Sequence, residues 1–142
     1  MTDINNNSNN KIIYGPYCNN FGTGMHELDL RDAYLDVIIA LESLLLKENE
    51  PTKGLFAERV ALIMGDNADS REQIFTRVKD LYQMRSNIVH RGFNDITKLN
   101  VKEVSHIAFM VIMTLLKQNN NIKTIDDLAQ KCKDIKFAGP MF

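Results

Sequence analysis

At 142 residues the chain has room for one domain of ordinary size and not for two. Apolar residues make up 44% and charged residues 25%, the balance of a soluble globular protein. A net charge of −1 argues against a molecule that captures polyanions through its overall charge.

Met1–Asn10 is mostly Asn and has nothing to bury, so residues 1–10 are expected to form a disordered tail. The segment lacks the basic start and apolar run of a secretory signal. Residues 11–28 are rich in turn material, with Gly15-Pro16, Asn19-Asn20 and Gly22-Thr23-Gly24, yet they hold Tyr14, Tyr17 and Phe21. An irregular arm packed on the core is expected there, followed by a helical domain over 29–142.

Asp29 is a plausible N-cap for a long helix reaching about Lys47. Leu30, Tyr34, Val37, Ile38, Leu41, Leu44 and Leu45 recur at helical spacing, and Ala33, Ile39, Ala40 and Leu46 make the segment apolar nearly all round. That pattern predicts the central, most buried helix. Pro51 and Gly54 mark a loop, and a shorter helix is expected over Leu55–Met64, stopping at Gly65. Ser70 and Gln73 have the spacing of a capping box for a third helix, which continues through Val78, Leu81, Tyr82, Ile88 and Val89 to Gly92. A fourth is expected from about Val101 to Lys117, and a short fifth, capped by Thr124, over Ile125–Lys133. No stretch alternates with period two for long enough to argue a sheet, and no internal repeat is visible. The fold expected is all-α: an antiparallel bundle of four main helices, with a short C-terminal helix and the N-terminal arm.

The apolar stretches Asp36–Leu46 and Ile107–Leu116 are interrupted by polar residues and are short for a membrane span, so no membrane partner is expected. Cys18 and Cys132 stand far apart without metal-ligand spacing, which suits free thiols in a reducing cytoplasm. Charge is unevenly spread. Residues 1–70 carry 5 basic and 11 acidic side chains, net −6, whereas residues 71–102 carry 7 and 3, net +4. A basic segment in a neutral protein points weakly to a phosphate-bearing partner, and a solvated helix face explains it equally well.

Three charges interrupt apolar helix faces. Glu42 stands among Ile38, Ile39, Leu45 and Leu46; Arg59 among Leu55, Phe56, Leu62 and Ile63; Arg85 among Leu81, Tyr82, Ile88 and Val89, all three or four residues away. An unpaired buried charge costs several kcal/mol, so Glu42 is expected to meet an arginine. A structural Glu42–Arg59 ion pair is one reading; Arg85, or both arginines, are the alternatives.

Arg85 is further distinguished by His90, five residues on and about 140° round the helix, just before Arg91-Gly92. A guanidinium holds a phosphate through two hydrogen bonds, and a histidine shuttles protons near neutral pH. Cleavage of RNA needs those two functions: a base for the 2′-hydroxyl and a cation for the phosphorane. The bland alternative is a histidine interacting with the helix-terminal carbonyls. His26 and His106 have no partner at useful spacing. Gly-rich phosphate loops, HExxH and paired-cysteine zinc motifs are missing from the sequence, so neither metal nor cofactor is expected.

Leu81-Tyr82-Gln83-Met84-Arg85-Ser86-Asn87-Ile88-Val89-His90-Arg91-Gly92 resembles the signature of HEPN domains, especially the Apea-like branch. Ala40–Leu45 and Ala57–Leu62 resemble that branch in the right order, so the likeness spans roughly Asp29 to Leu116. The resemblance implies an α-helical bundle that forms homodimers, many members being metal-independent endoribonucleases of toxin–antitoxin, phage-defence or RNA-processing systems. Others are non-catalytic dimerisation or nucleotide-binding modules. It implies Arg85 on the scissile phosphate, His90 as the proton carrier, RNA as the substrate and an antitoxin-like protein as a possible partner. Ser86, Asn87 and Glu42 are the expected supporting residues; active members often carry Asn, Asp or His where this chain has Ser86.

Overall fold

The computed structural model describes residues 27–92, 95–118 and 121–138, and among these it is all-helical. Five helices follow one another: α1 (Glu27–Leu45), α2 (Thr52–Met64), α3 (Ala68–Arg91), α4 (Lys98–Leu116) and α5 (Ile125–Ala138). The expected tail and nearly all of the expected arm lie outside the described residues, as do Cys18 and His26.

The helix ends differ from those expected, for local reasons. α1 already runs from Glu27, two residues ahead of the expected cap Asp29, so the last two residues of the presumed arm are helical. α2 starts at Thr52 behind Pro51 and takes Gly54 into its first turn instead of leaving it in a loop. The cap of α3 is Asn67 rather than Ser70: the Asn67 side chain accepts from the Ser70 N–H at 2.9 Å, while the Ser70 hydroxyl receives the Asn67 N–H at 3.1 Å. Ser70 thus fills the third helical position of a capping box, not the first. Thr97 and Asn100 form the same device for α4, which therefore begins ahead of the expected Val101. Thr124 does cap α5, exchanging hydrogen bonds with Asp127, but that helix runs five residues past Lys133.

Burial also redistributes the expected roles. α1 buries one stripe, Leu30, Tyr34, Ile38, Leu41 and Leu45, and leaves Ile39 and Leu44 exposed. The most buried helix is α2, with Phe56, Ala57, Arg59, Val60, Ala61, Leu62 and Ile63 all inside. It packs against the other four helices. Periodicity reports how apolar a helix is, not how many neighbours cover it, which is why α1 looked central. Gly65 ends α2 in an extended conformation, φ −87°, so it is not a left-handed cap. It is required for another reason: a Cβ there would lie 2.8 Å from the Ala61 carbonyl and would also meet the Arg71 side chain. That close approach turns α2 tightly into α3.

α2 and α3 form an antiparallel hairpin, with Lys53 on Gln83, Phe56 on Tyr82 and Gly65 beside Arg71. α1 and α4 advance in the same direction instead. The Tyr34 hydroxyl lies in the field of Glu103, while Leu44 shares a recess with Ile112 and Leu116. The expectation of an antiparallel arrangement thus holds for one helix pair and not for the other.

Candidate functional site

α3 presents a core stripe of Val78, Leu81, Tyr82 and Ile88, and Arg85 emerges within it. Its charge is met by α1. Arg85 Nη2 lies 3.5 Å from Glu42 Oε2, with the two side chains 25% and 16% exposed. The other carboxylate oxygen, Oε1, accepts the hydroxyl of Tyr82. The Tyr82 ring packs on Phe56 at 5.3 Å between centroids, and the Arg85 guanidinium carbon stands 5.7 Å from the same ring's centroid. Tyr82 therefore fixes the carboxylate with its hydroxyl and flanks the cation with its face. Burial, then the neighbouring Glu42 carboxylate, pushes the Tyr82 phenol above its ordinary pKa and keeps it a donor. Of the possibilities left open by the sequence, Glu42 takes Arg85.

The Glu42–Arg59 pair is not formed. Arg59 is 4% exposed and turns to Glu50 in the α1–α2 loop, its Nη1 and Nη2 donating to the two carboxylate oxygens at 2.8 and 2.9 Å. The same Nη1 donates to the carbonyl of Leu45, closing the C-terminal end of α1. This fork is a structural latch between α1, its loop and α2, separate from the Glu42–Arg85 cluster.

Arg85 Nε is buried and has no hydrogen-bond partner among the described residues. An unpaired buried donor costs about 1–3 kcal/mol, so the guanidinium is under-satisfied as it stands. His90 is exposed in the last turn of α3. Gly92 follows it at φ +63°, and its N–H closes the helix on the Asn87 and Ile88 carbonyls. Of the expected supporting residues, Ser86 is half-buried and joined to Arg85 by no hydrogen bond. Asn87 points along another edge of α3, where its Oδ1 accepts from Gln83 Nε2 at 3.1 Å while Gln83 Oε1 receives Lys53 Nζ at 2.5 Å. Asn87 thus belongs to an α2–α3 surface chain instead of the Arg85 cluster.

Exposed apolar side chains border the cluster: Ile39, one turn before Glu42 on α1, and Val89, one turn after Arg85 on α3. In the sequence Tyr82 reads only as an apolar neighbour of Arg85. Its hydroxyl, three residues ahead on the same helix face, was the available signal. Nothing in the sequence marked Glu50. Among the described residues no three His, Cys, Asp or Glu side chains converge to hold a metal ion. The chain gives no match to known protein families, to curated proteins or to solved structures.

Proposed function

We propose that the chain is an HEPN-like, metal-independent endoribonuclease that works as a homodimer, with Arg85 and His90 as its chemical pair. The observation that carries the reading is the state of Arg85: held on one edge by Glu42, supported by Tyr82, and left with an unpartnered Nε. The Arg85 side chain is still 25% exposed, so a phosphate can reach its solvent-facing part and form charge-assisted hydrogen bonds there. His90, exposed beside Val89, supplies the proton carrier. In this reaction a base removes the 2′-hydroxyl proton, the 2′-oxygen attacks the adjacent phosphorus, and the 5′-oxygen leaves with a proton from an acid. The products are a 2′,3′-cyclic phosphate and a 5′-hydroxyl end. The exposed Ile39 and Val89 give the cluster an apolar rim that a second copy would cover, bringing two Arg–His pairs into one cleft.

A second reading has its own observation. Glu42 and Tyr82 already hold Arg85 as a helix-packing network, which suits a catalytically silent dimerisation or RNA-binding module in a defence or regulatory system. One experiment separates the two. RNA is incubated with wild type, His90→Ala and Arg85→Lys in EDTA, with light scattering on each protein. The nuclease reading expects a species of about twice 16.2 kDa and cyclic-phosphate ends. It also expects cleavage slowed about 10²–10⁴-fold by His90→Ala, the scale of a lost general acid or base. RNA that binds and is never cut, or a strict monomer, rejects it.

A further inference from the structure

A second apolar surface lies away from Arg85, on the outer side of α4. Phe109, Ile112, Met113 and Leu116 are exposed there, Phe109 by 59% and Leu116 by 69%. From Val104 to Leu116 this helix has no Asp, Glu, Lys or Arg. Between it and the start of α5 lies a recess of about 280 Å³ lined by Leu44, Ile112, Leu116, Ile122 and Leu128. That volume is at or below the lower end for small-molecule sites and is the right size for one or two side chains. Contiguous apolar surface of this kind marks a place that something covers.

We infer that the outer face of α4 is covered by the chain's own residues 12–25, with Tyr14, Tyr17 and Phe21 as the anchors. Charge supports the match, because residues 12–25 carry no charged side chain and α4 carries none from Val104 to Leu116, with Lys123 alone bringing a charge to the recess beside it. Reach supports it too. α1 and α4 run the same way, with Tyr34 level with Glu103, so the chain leading into Glu27 arrives at the α4 N-terminal end. Phe21 is six residues before Glu27 and can stand about 20 Å from it, and Ile12 about 50 Å. Along α4, Phe109 lies about 16 Å and Leu116 about 27 Å from Lys98, at 1.5 Å per residue. The segment therefore spans the whole face.

Other occupants fit less well. A bilayer is disfavoured although α4 has the length, 19 residues, and mean hydropathy, 1.4, of a membrane span. Val104 and Val111 are fully buried in the bundle and would have to be withdrawn from it. A second copy could also pair through α4, but a tethered segment competes at an effective concentration in the millimolar range.

The chain contains its own probe, Cys18, in the middle of the segment. In the 142-residue chain, Phe109→Cys, Ile112→Cys, Met113→Cys and Leu116→Cys are made one at a time and oxidised with diamide at micromolar concentration. Lys79→Cys, on an exposed part of α3 away from α4, is the control. Cys132 adds little background, since it is buried and its thiol is pushed up to about 11. The expected product at one or more α4 positions is a monomer-mass species lacking two alkylatable thiols. It should form about 10²–10³-fold faster than bridges between molecules that meet by diffusion, the advantage of millimolar over micromolar thiol. Internal bridging at none of the four positions, equal internal bridging in the Lys79→Cys control, or dimer-mass disulfides as the main product would each overturn the assignment, the last in favour of a second copy.

Discussion

Removing the Glu50 carboxylate tests the latch that joins α1 to α2. Arg59 is inside the molecule at 4% side-chain exposure, while Glu50 is 23% exposed, so this ion pair lies between two regimes. Exposed pairs contribute up to about 1 kcal/mol, whereas deleting one partner of a fully buried pair costs about 3–5 kcal/mol because the other charge is stranded. The guanidinium keeps its bond to the Leu45 carbonyl but loses both bonds to Glu50. Glu50→Gln should therefore cost about 2–3 kcal/mol, measured by urea denaturation at pH 7, with the slope unchanged. The pH dependence follows from the carboxyl itself. The Arg59 hydrogen bonds, and then the Lys47 N–H, outweigh partial burial and hold Glu50 below its ordinary pKa. A carboxylate depressed in the folded state contributes its stability above the unfolded value, near 4.3, and loses it as pH falls through the folded one. The difference between wild type and Glu50→Gln should be full at pH 7 and close below about pH 4. In the Arg59→Met background, Glu50→Gln should cost less than about 1 kcal/mol, since no buried cation remains. A loss under about 0.5 kcal/mol in the wild-type background, or one that persists unchanged at pH 3, would refute the reasoning.

Two further substitutions probe the packing. Glu42→Gln weakens the acceptor for Tyr82 and leaves the Arg85 cation poorly compensated, so it should cost about 1–3 kcal/mol by thermal or urea unfolding; an unchanged midpoint would mean that the carboxylate does not hold the cluster. Gly65→Ala should cost about 1–3 kcal/mol, because the methyl would sit 2.8 Å from the Ala61 carbonyl, and Gly92→Ala, where nothing lies within 4 Å, should cost about 1 kcal/mol through its positive φ alone. Equal losses at the two glycines would contradict the close α2–α3 approach.

Much of the fold was legible because helices are specified by neighbours three and four residues away, and those are visible in a string. The stripe from Leu30 to Leu45, the stop at Gly92 and the cap at Thr124 are all of that kind. Cap register was harder: Asn67 and Ser70 both offer a side-chain acceptor three residues before a backbone N–H, and local spacing does not rank them. Arg85 could be singled out because a charge amid apolar neighbours at helical spacing is a local anomaly. Its partners could not. Tyr82 meets Glu42 across 40 residues.

What the sequence determined by itself was therefore the set of helices, the composition of their faces and the demand that Glu42 and the two arginines be neutralised. The tertiary structure alone decided who answers that demand. Arg59 finds Glu50 because the loop ahead of Pro51, with Asn49 at φ 67°, turns that carboxylate back onto α2. Arg85 finds Glu42 because α1 crosses α3 beside Tyr82. It also made α2 the central helix, since burial depends on how many neighbours surround an element and no property of the element alone contains that number.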